Sequence, residues 1–551
     1  MTSTDLAGDI RSAADVVREG RTALGIEFGS TRIKACLVDA DDPSRVLAVG
    51  AHDWENAFVD RMWTYALDDI WSGLQAAYAA LVADVERRHD VPLTTVGAIG
   101  ISAMMHGYLA FDASGRLLVP FRTWRNTHTG EAAAELSELL GVNIPLRWSV
   151  AHLRQAERDR EPHVEHVRAI TTLAGYVHER LTGRRVLGVG DASGMFPLGS
   201  GTADYDADLL ARFDALSALP PLADLLPAVL VAGEDAGALT AEGAALLDPS
   251  GVLAPGVPLC PPEGDAGTGM VATGAVAPRT GNVSAGTSIF AMVVLERPLA
   301  QQHHELDLVA TPAGDPVAMV HCNNGASELA AWVGLFARFA EASGAQASAD
   351  DAYEVLFAEA LRGDADAGGL LAYNHLAGEP IVGTTEGRPL VVRAPDSRFD
   401  LANFMRAQLY GVFGTLSLGM RVLAAEGVAL DRMFAHGGIF RTAGVAQRLL
   451  AGALAAPVVV DGNASEGGAW GIAVLAAFRR AVAASDPSRG PADETRTALD
   501  GRLAAYLADR AFVGAALQAV DPDPADVAGY AAFLGRYAAG LAAERAAVAA
   551  L

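Results

Sequence analysis

Two short stretches of this chain join apolar runs through glycine and hydroxyl residues alone. The first is Leu24-Gly-Ile-Glu-Phe-Gly-Ser-Thr-Arg-Ile-Lys-Ala-Cys-Leu-Val-Asp39, with Glu27 just before the turn Gly29-Ser30-Thr31 and Lys34 just after it. The second is Gly281-Asn-Val-Ser-Ala-Gly-Thr-Ser-Ile-Phe290, turning at Gly286-Thr287-Ser288. A tight turn of small and hydroxyl residues offers backbone N–H groups and Oγ donors to a phosphate. Lys34 is the single lysine among 41 lysines and arginines. A compact ammonium suits a phosphate as a point charge, which a planar guanidinium does not. The same residues also read as an ordinary β-hairpin with a lysine spared by compositional drift, and the segment alone does not choose between the two.

Further candidates lie downstream. Val257–Cys260 leads into Glu263-Gly264-Asp265-Ala266-Gly267, where a carboxylate stands in a turn with no bulky neighbour. Such a carboxylate can accept a proton from a hydroxyl nucleophile. Ser102-Ala103-Met104-Met105-His106-Gly107 follows an apolar strand, and His106 can donate and accept hydrogen bonds with hydroxyls. Thr123-Trp124-Arg125-Asn126-Thr127 pairs an aromatic face with an amide. Asn324-Gly325 begins a helix, and His436-Gly437-Gly438 ends the strand Asp431–Ala435.

The elements that must position these residues alternate strand and helix. Residues 24–39 and 46–54 read as β, and 68–89 carries Ile70, Leu74, Tyr78, Leu81 and Val85 near helical spacing. Val96–Ser102 is a strand, and residues 108–120 form a hairpin. Residues 130–140 and 163–182 are helical, Leu187–Met195 is a strand and turn, and 206–247 is helical. The second strand-rich block starts near 257. Helices at 325–342, 349–361 and 399–426 follow it, then a strand at 457–460 and a core helix opened by Glu466-Gly467-Gly468. The repeated strand–turn–strand unit implies two related domains facing a common cleft. The expected division is a polar extension over 1–22, a first domain over 23–275, a second over 276–485 and a helical tail over 486–551.

Composition bounds the function. At 551 residues with 51% hydrophobic and 19% charged residues, the chain is globular and has more than one domain. A net charge of −25 argues against nucleic acid as a partner. No uncharged apolar run approaches a membrane span. The charged first twenty residues do not read as a secretory signal, and three scattered cysteines make neither a disulfide framework nor a zinc pattern. A cytoplasmic protein is the expected reading.

The order of these motifs from about Leu24 to Ala477 resembles the FGGY carbohydrate kinase family, within the actin and heat-shock chaperone ATPase superfamily. The resemblance implies an α/β fold of two actin-like (ribonuclease H-like) domains flanking a cleft for ATP and a sugar. It implies that Asp265 is the catalytic base, that Gly29, Ser30, Thr31, Lys34, Gly286 and Thr287 approach ATP phosphates, and that Gly325 approaches phosphate or ribose. Gly437 and Gly438 would let the purine lie on backbone. Glu27 stands where the family usually has Asp, and with Asp265 would face Mg²⁺. Met105, His106, Trp124 and Asn126 occupy the places of sugar-pocket segments in xylulose kinases. Gly190-Asp-Ala-Ser-Gly194 resembles a xylulose-kinase turn of mainly structural role. Gly369–Glu379 resembles a family segment but departs from it at Pro380. The expected activity is phosphorylation of a small ketose or polyol, a pentulose such as xylulose by default, by an enzyme that is a possible homodimer. The same loops also serve ATPases that act as chaperones, filaments or regulators, and a sugar sensor of weak activity is a third reading.

Overall fold

A computed structural model describes residues 12–344, 348–442, 444–461, 467–485, 501–514 and 517–551. The chain divides into two units. The first comprises Met1–Val276, Val309–Asp315 and Ser465–Gly514; the second comprises Ala277–Leu308, Pro316–Ala464 and Ala515–Leu551. Six helices recur below: α1 (Leu67–His89), α2 (Asp265–Thr273), α3 (Leu401–Ala425), α4 (Val445–Leu454), α5 (Gly467–Ser485) and α6 (Pro524–Ala550). Among the described residues no helix is long and apolar enough to cross a membrane.

The first unit is built on five strands: β1 (Thr22–Phe28), β2 (Arg32–Asp39), β3 (Val46–Asp53), β4 (Ala98–Ala103) and β5 (Glu263–Gly264), in the order β5-β4-β1-β2-β3. β1, β2 and β3 form an antiparallel meander, while β4 and β5 add in parallel beside β1. Both faces of the sheet are covered, so its strands are apolar on both sides. Leu24, Ile26, Ile33 and Ala35 share a core with Ile70, Leu74 and Leu81 of α1. The opposite face is approached so closely by α5 that a methyl on Gly25 would stand 2.2 Å from the Ala469 carbonyl oxygen. Gly471 has the same relation to the carbonyl oxygen of Thr268 in α2, at 2.2 Å. Glycine in a strand or helix at such a point permits backbone-to-backbone approach that no other residue allows.

The second unit repeats the scheme with β6 (Thr280–Ala285), β7 (Ile289–Val294), β8 (Pro316–Cys322), β9 (Arg432–His436), β10 (Val458–Asp461) and β11 (Leu517–Val520). In its sheet these run β8-β7-β6-β9-β10-β11. β6, β7 and β8 are antiparallel neighbours, and β9 and β10 add in parallel beside β6. Seventeen residues of α3 are buried, so the helix is enclosed nearly all round. α6 lays Tyr530, Phe533 and Tyr537 against it, with Tyr410 and Tyr530 rings 4.7 Å apart edge to face.

Several expectations are altered by tertiary contacts. The stretch 163–182 is not one helix. A turn at Val164–His166 and a strand at Ala169–Thr171 precede the helix Leu173–Thr182. That helix starts where the Thr172 hydroxyl accepts the Gly175 N–H at 3.2 Å. The helix Ser149–Arg158 has no counterpart in the sequence reading, because its buried face includes His152 and Gln155. α5 clusters with the first unit although it lies inside the span 276–485, because it lies against β1 and α2. Residues 517–551 of the expected tail belong to the second unit, since β11 pairs with β10 and α6 completes the second core. Residues 1–11 of the N-terminal extension and Glu466 lie outside the described residues.

α6 is also fixed by charge. Asp526, 3% exposed, accepts from Arg406 of α3 and, at 2.7 Å, from Arg448 of α4. Removing one partner of a buried pair strands the other in low dielectric. Asp526→Ala is expected to lower the unfolding free energy by about 3–5 kcal/mol, read in a denaturant titration of the second unit's tyrosine signal.

Candidate active site

The parallel pairing in the first unit brings the C-terminal ends of β1, β4 and β5 to one edge of the sheet. Glu27 and Phe28 end β1, Ala103 leads β4 into Met104–Gly107, and Gly264 leads β5 into Asp265. Such an edge is where open α/β sheets collect ligands. Asp265 is not in a free turn as expected from sequence; it is the first residue of α2. Its Oδ1 accepts the Met105 N–H at 3.0 Å. Burial raises its pKa, and the N–H groups of Met105 and Ala266 oppose the rise.

Glu27 has an observable reason to be longer than aspartate. A methyl on Gly468, in the first turn of α5, would stand 2.2 Å from Glu27 Oε1 and 2.9 Å from the Thr268 hydroxyl. The carboxylate therefore fills the space that the glycine leaves open, at the positive end of a 19-residue helix. Thr268 Oγ1 lies 3.1 Å from Ser102 Oγ, and Ser102 is the β4 partner of Glu27.

Met105 and His106 are buried beside this edge. His106 adopts φ 72°, uncommon for a residue with a side chain, and Gly107 follows at φ 95°. The ring is set by a 3.2 Å hydrogen bond between Nδ1 and the Gly194 carbonyl, and a methyl on Gly194 would lie 2.5 Å from that nitrogen. The Asp-Ala-Ser-Gly194 turn thus orients His106. Asn126 is used differently from the sugar contact expected of it. Its Oδ1 accepts the Trp63 N–H at 2.8 Å, and its two amide hydrogens go to the Trp63 and Thr123 carbonyls at 2.8 and 3.0 Å. Both donors are spent on backbone. Trp124 is partly buried against the first core.

The two glycine–hydroxyl loops share one hydrogen-bond scheme. In the first, Gly29 N–H closes the turn on the Arg32 carbonyl at 3.0 Å. The Gly29 carbonyl accepts from Trp54 Nε1 at 2.7 Å and the Ser30 carbonyl from the Tyr65 hydroxyl at 2.6 Å. In the second, Gly286 N–H donates to the Ser288 carbonyl at 2.9 Å. The carbonyls of Gly286 and Thr287 accept from Ala326 and Gly325 at 2.8 and 2.7 Å. A trans peptide that ties its carbonyl to one side turns the next N–H to the other. The N–H groups so directed belong to Ser30 and Thr31, and to Thr287 and Ser288. The expectation that Gly286 presents its own N–H to a phosphate is corrected, since that N–H is bonded inside the protein, as is the N–H of Gly325. Lys34 is opposite Glu27 in the β1–β2 ladder and lines a groove with Arg32, Ala51 and Arg87 at the sheet edge.

In the second unit Gly437, at φ 118°, lies so near the end of β6 that a methyl would meet the Ala285 carbonyl oxygen at 2.1 Å. Gly438 has open space on its Cβ side. Asn324 is a hub: its Oδ1 accepts from the N–H groups of Leu376 and Ala377, and its amide donates to Glu379 at 3.0 Å. Glu379 is buried, with a pKa pushed up to about 7 by that burial against the opposing Asn324 bond. The segment ending at Glu379 therefore braces the loop before Gly325.

Two further acids stand behind Asp265: Glu263, given no role in the sequence reading, and Asp191, read there as part of a mainly structural turn. Glu263 is 1% exposed, and its carboxylate accepts the N–H groups of Gly190 and Asp191 at 3.3 and 2.9 Å. Asp191 is fully buried and accepts from the Thr172 hydroxyl at 2.6 Å. Burial pushes its pKa up to about 7, opposed by the Thr172 bond and aided by the charge of Asp265. The one sequence signal was glycine spacing: Gly188 and Gly190 flank a bulky partner that lies 73 residues on.

Among the described residues no three acidic, His or Cys side chains gather to hold a metal by themselves. Mg²⁺ is commonly held by one or two carboxylates together with water and substrate phosphates, and Glu27 and Asp265 fit that mode.

Comparison with known proteins gives a consistent match. Residues 22–271 match the N-terminal domain of the FGGY family of carbohydrate kinases and residues 281–480 its C-terminal domain. The chain is 28% identical over 347 residues to a xylulose kinase of Streptomyces coelicolor, covering 58% of this chain and 64% of that one. It is 25% identical over 272 residues to the xylulose kinase of Escherichia coli, covering 48% and 52%. The alignments thus span less than two thirds of these relatives' length. The structure of a xylulose kinase from Rhodospirillum rubrum superposes with a TM-score of 0.73 at 22% identity over 95% of this chain and 99% of that one. A gluconate kinase from Lactobacillus acidophilus superposes with a TM-score of 0.74 at 16% identity, covering 95% and 98%.

The fit of Glu27 to Gly468 is open to a double-variant cycle. Gly468→Ala is expected to destabilise the protein by about 1–3 kcal/mol. Adding Glu27→Asp, shorter by about 1.5 Å, should recover part of that loss in thermal denaturation. Additive losses would show that the two positions do not share the space.

Proposed function

The chain belongs to the FGGY family of carbohydrate kinases, and from that premise we propose that it transfers the γ-phosphoryl group of ATP to a hydroxyl of a small ketose, with Asp265 as general base. The observation that carries this reading is the place of Asp265, at the end of a parallel strand, with one carboxylate oxygen fixed by the Met105 N–H. Asp265 takes the proton of the attacking hydroxyl as the oxygen approaches phosphorus. Its burial supports the role, because a carboxylate with a raised pKa is a better proton acceptor.

The N–H groups of Ser30, Thr31, Thr287 and Ser288 are the proposed donors to phosphate oxygens. Within each loop the donors are held by that loop's own hydrogen bonds before any ligand arrives. Mg²⁺, bound with ATP, would neutralise phosphate charge beside Glu27 and Asp265. Gly437 and Gly438 offer a side-chain-free surface for the purine. Met105 and His106 form the sugar-facing wall, with Trp124 near it. A pentulose is the proposed substrate, since the curated relatives are xylulose kinases. The fold alone does not choose the sugar, because a gluconate kinase shares it.

The deciding experiment is ADP release with ATP and Mg²⁺ across ketopentoses, tetruloses, polyols and sugar acids. Strong stimulation by one compound, with its phosphate ester seen by mass spectrometry, supports the proposal and names the substrate. ATP hydrolysis indifferent to every sugar would replace it with a regulatory ATPase.

Two outcomes follow for Asp265. Asp265→Asn should lower kcat by about 10²–10⁴-fold while ATP binding, measured by calorimetry, is retained. In the wild type the base must be ionised, so kcat/KM falls as pH drops through the Asp265 pKa. Since that pKa is raised, the acid limb should lie above the ordinary carboxylate range. A limb at or below that range would argue against Asp265 as the titrating base.

A further inference from the structure

We propose that Glu263 is a positioning residue for Asp265, held in a socket of glycines that the chain keeps empty for its carboxylate; the inference rests on the kinase reading above. The socket is visible as missing side chains. A methyl on Gly188 would stand 2.2 Å from Glu263 Oε1, one on Gly190 2.5 Å from Oε2, and one on Gly267 3.4 Å from Oε2. The first two distances are shorter than any real carbon–oxygen contact, so the carboxylate and those side chains are mutually exclusive. The run Leu187-Gly-Val-Gly190 thus has a specific partner.

Burying a carboxylate is costly, and an apolar side chain would fill the same space at less expense. What the carboxylate adds is connection. Its two oxygens take the N–H groups of Gly190 and Asp191, tying that turn to the residue two places before Asp265. Glu263 and Gly264 are themselves pinned to Ser102 and Ala103 by parallel pairing. Gly264 is then wedged: a methyl there would lie 2.8 Å from the Met105 side chain and 3.1 Å from Asp191 Oδ1. Met105, Gly264 and Asp191 are therefore closely packed, with no room for a side chain at 264. Since Met105 N–H holds Asp265, the Glu263 carboxylate sets the orientation of the proposed base.

The test is kinetic. A glutamine at 263 keeps the shape but has one acceptor oxygen, so one of the two N–H groups then faces an amide donor. Displacement of a reacting group by about 1 Å can cost about 10²-fold in rate. Glu263→Gln is expected to lower kcat by about 10–100-fold with the KM values for sugar and ATP nearly unchanged. Glu263→Asp should recover part of the loss relative to Glu263→Ala. Gly188→Ala, which displaces the carboxylate without changing it, should reproduce the loss.

The double variant separates positioning from general damage. In an Asp265→Asn background, Glu263→Gln should leave the residual rate unchanged, because the group it positions is already disabled. Equal fold-losses in both backgrounds, or an undiminished kcat in a folded Glu263→Gln protein, would overturn the proposal. If Glu263→Gln does not fold, the same two-background comparison is made with Glu263→Asp. A wild type that turns over no sugar would overturn the kinase reading and this inference together. Wild-type turnover with an unaffected Glu263→Gln would overturn only the positioning role.

Discussion

Parallel pairing beside a hairpin is the constraint from which both sites follow. β4 and β5 run in the same direction as β1, and β9 and β10 in the same direction as β6. Parallel neighbours end at one edge, so whatever follows each strand is gathered there irrespective of its distance in sequence. Glu27, His106 and Asp265 meet for that reason, across more than two hundred residues. Gly286 and Gly437 meet for the same reason in the second unit. Once the strand ends are gathered, the trans peptide does the local work, turning N–H groups outward wherever carbonyls are tied inward.

Much of this was legible in the sequence, and the part that was not has a consistent cause. The strands β1 to β4, the helix α1 and the two glycine–hydroxyl loops are local features, announced by periodicity and turn residues. The resemblance of ordered motifs gave the family. Sequence could not tell which N–H of a loop is turned outward, because that depends on remote acceptors and donors such as Trp54, Tyr65 and Ala326. Asn126 read as a sugar ligand because its type suits hydroxyls; its donors are consumed by Trp63 and Thr123, which only the fold brings near. α5 lies mostly within the sequence span of the C-terminal family domain yet packs in the first unit, which could not be read from the chain because helix periodicity carries no address. Glu263 escaped notice because its partners are absences, the Cβ atoms of Gly188 and Gly190.

Those absences form a pattern. Glu27 fills the space at Gly468, and Glu263 fills the space at Gly188 and Gly190. In each case a long acid on a strand is matched by glycine on a helix or turn arriving from elsewhere in the chain. The pairing is steric, so it fixes distance, and at Glu263 two backbone N–H groups also fix direction. A shorter acid with a larger neighbour would fill the same volume while moving the charge. Glycine composition near the site is therefore a record of where carboxylates are held.

The division of the first unit across the sequence has a consequence for biosynthesis. β1 to β5 and α2 are complete by Val276, yet the helix that covers Gly25 of β1 and packs on Thr268 of α2 is not finished until Ser485. The intervening 209 residues (485 minus 276) take roughly 10–40 s at a translation rate of about 5–20 residues per second. For that interval the nascent sheet presents an uncovered apolar face at the ribosome. Folding of the first unit is thereby delayed until the bulk of the second has emerged, and a ribosome stalled between the two would release a chain with an open sheet.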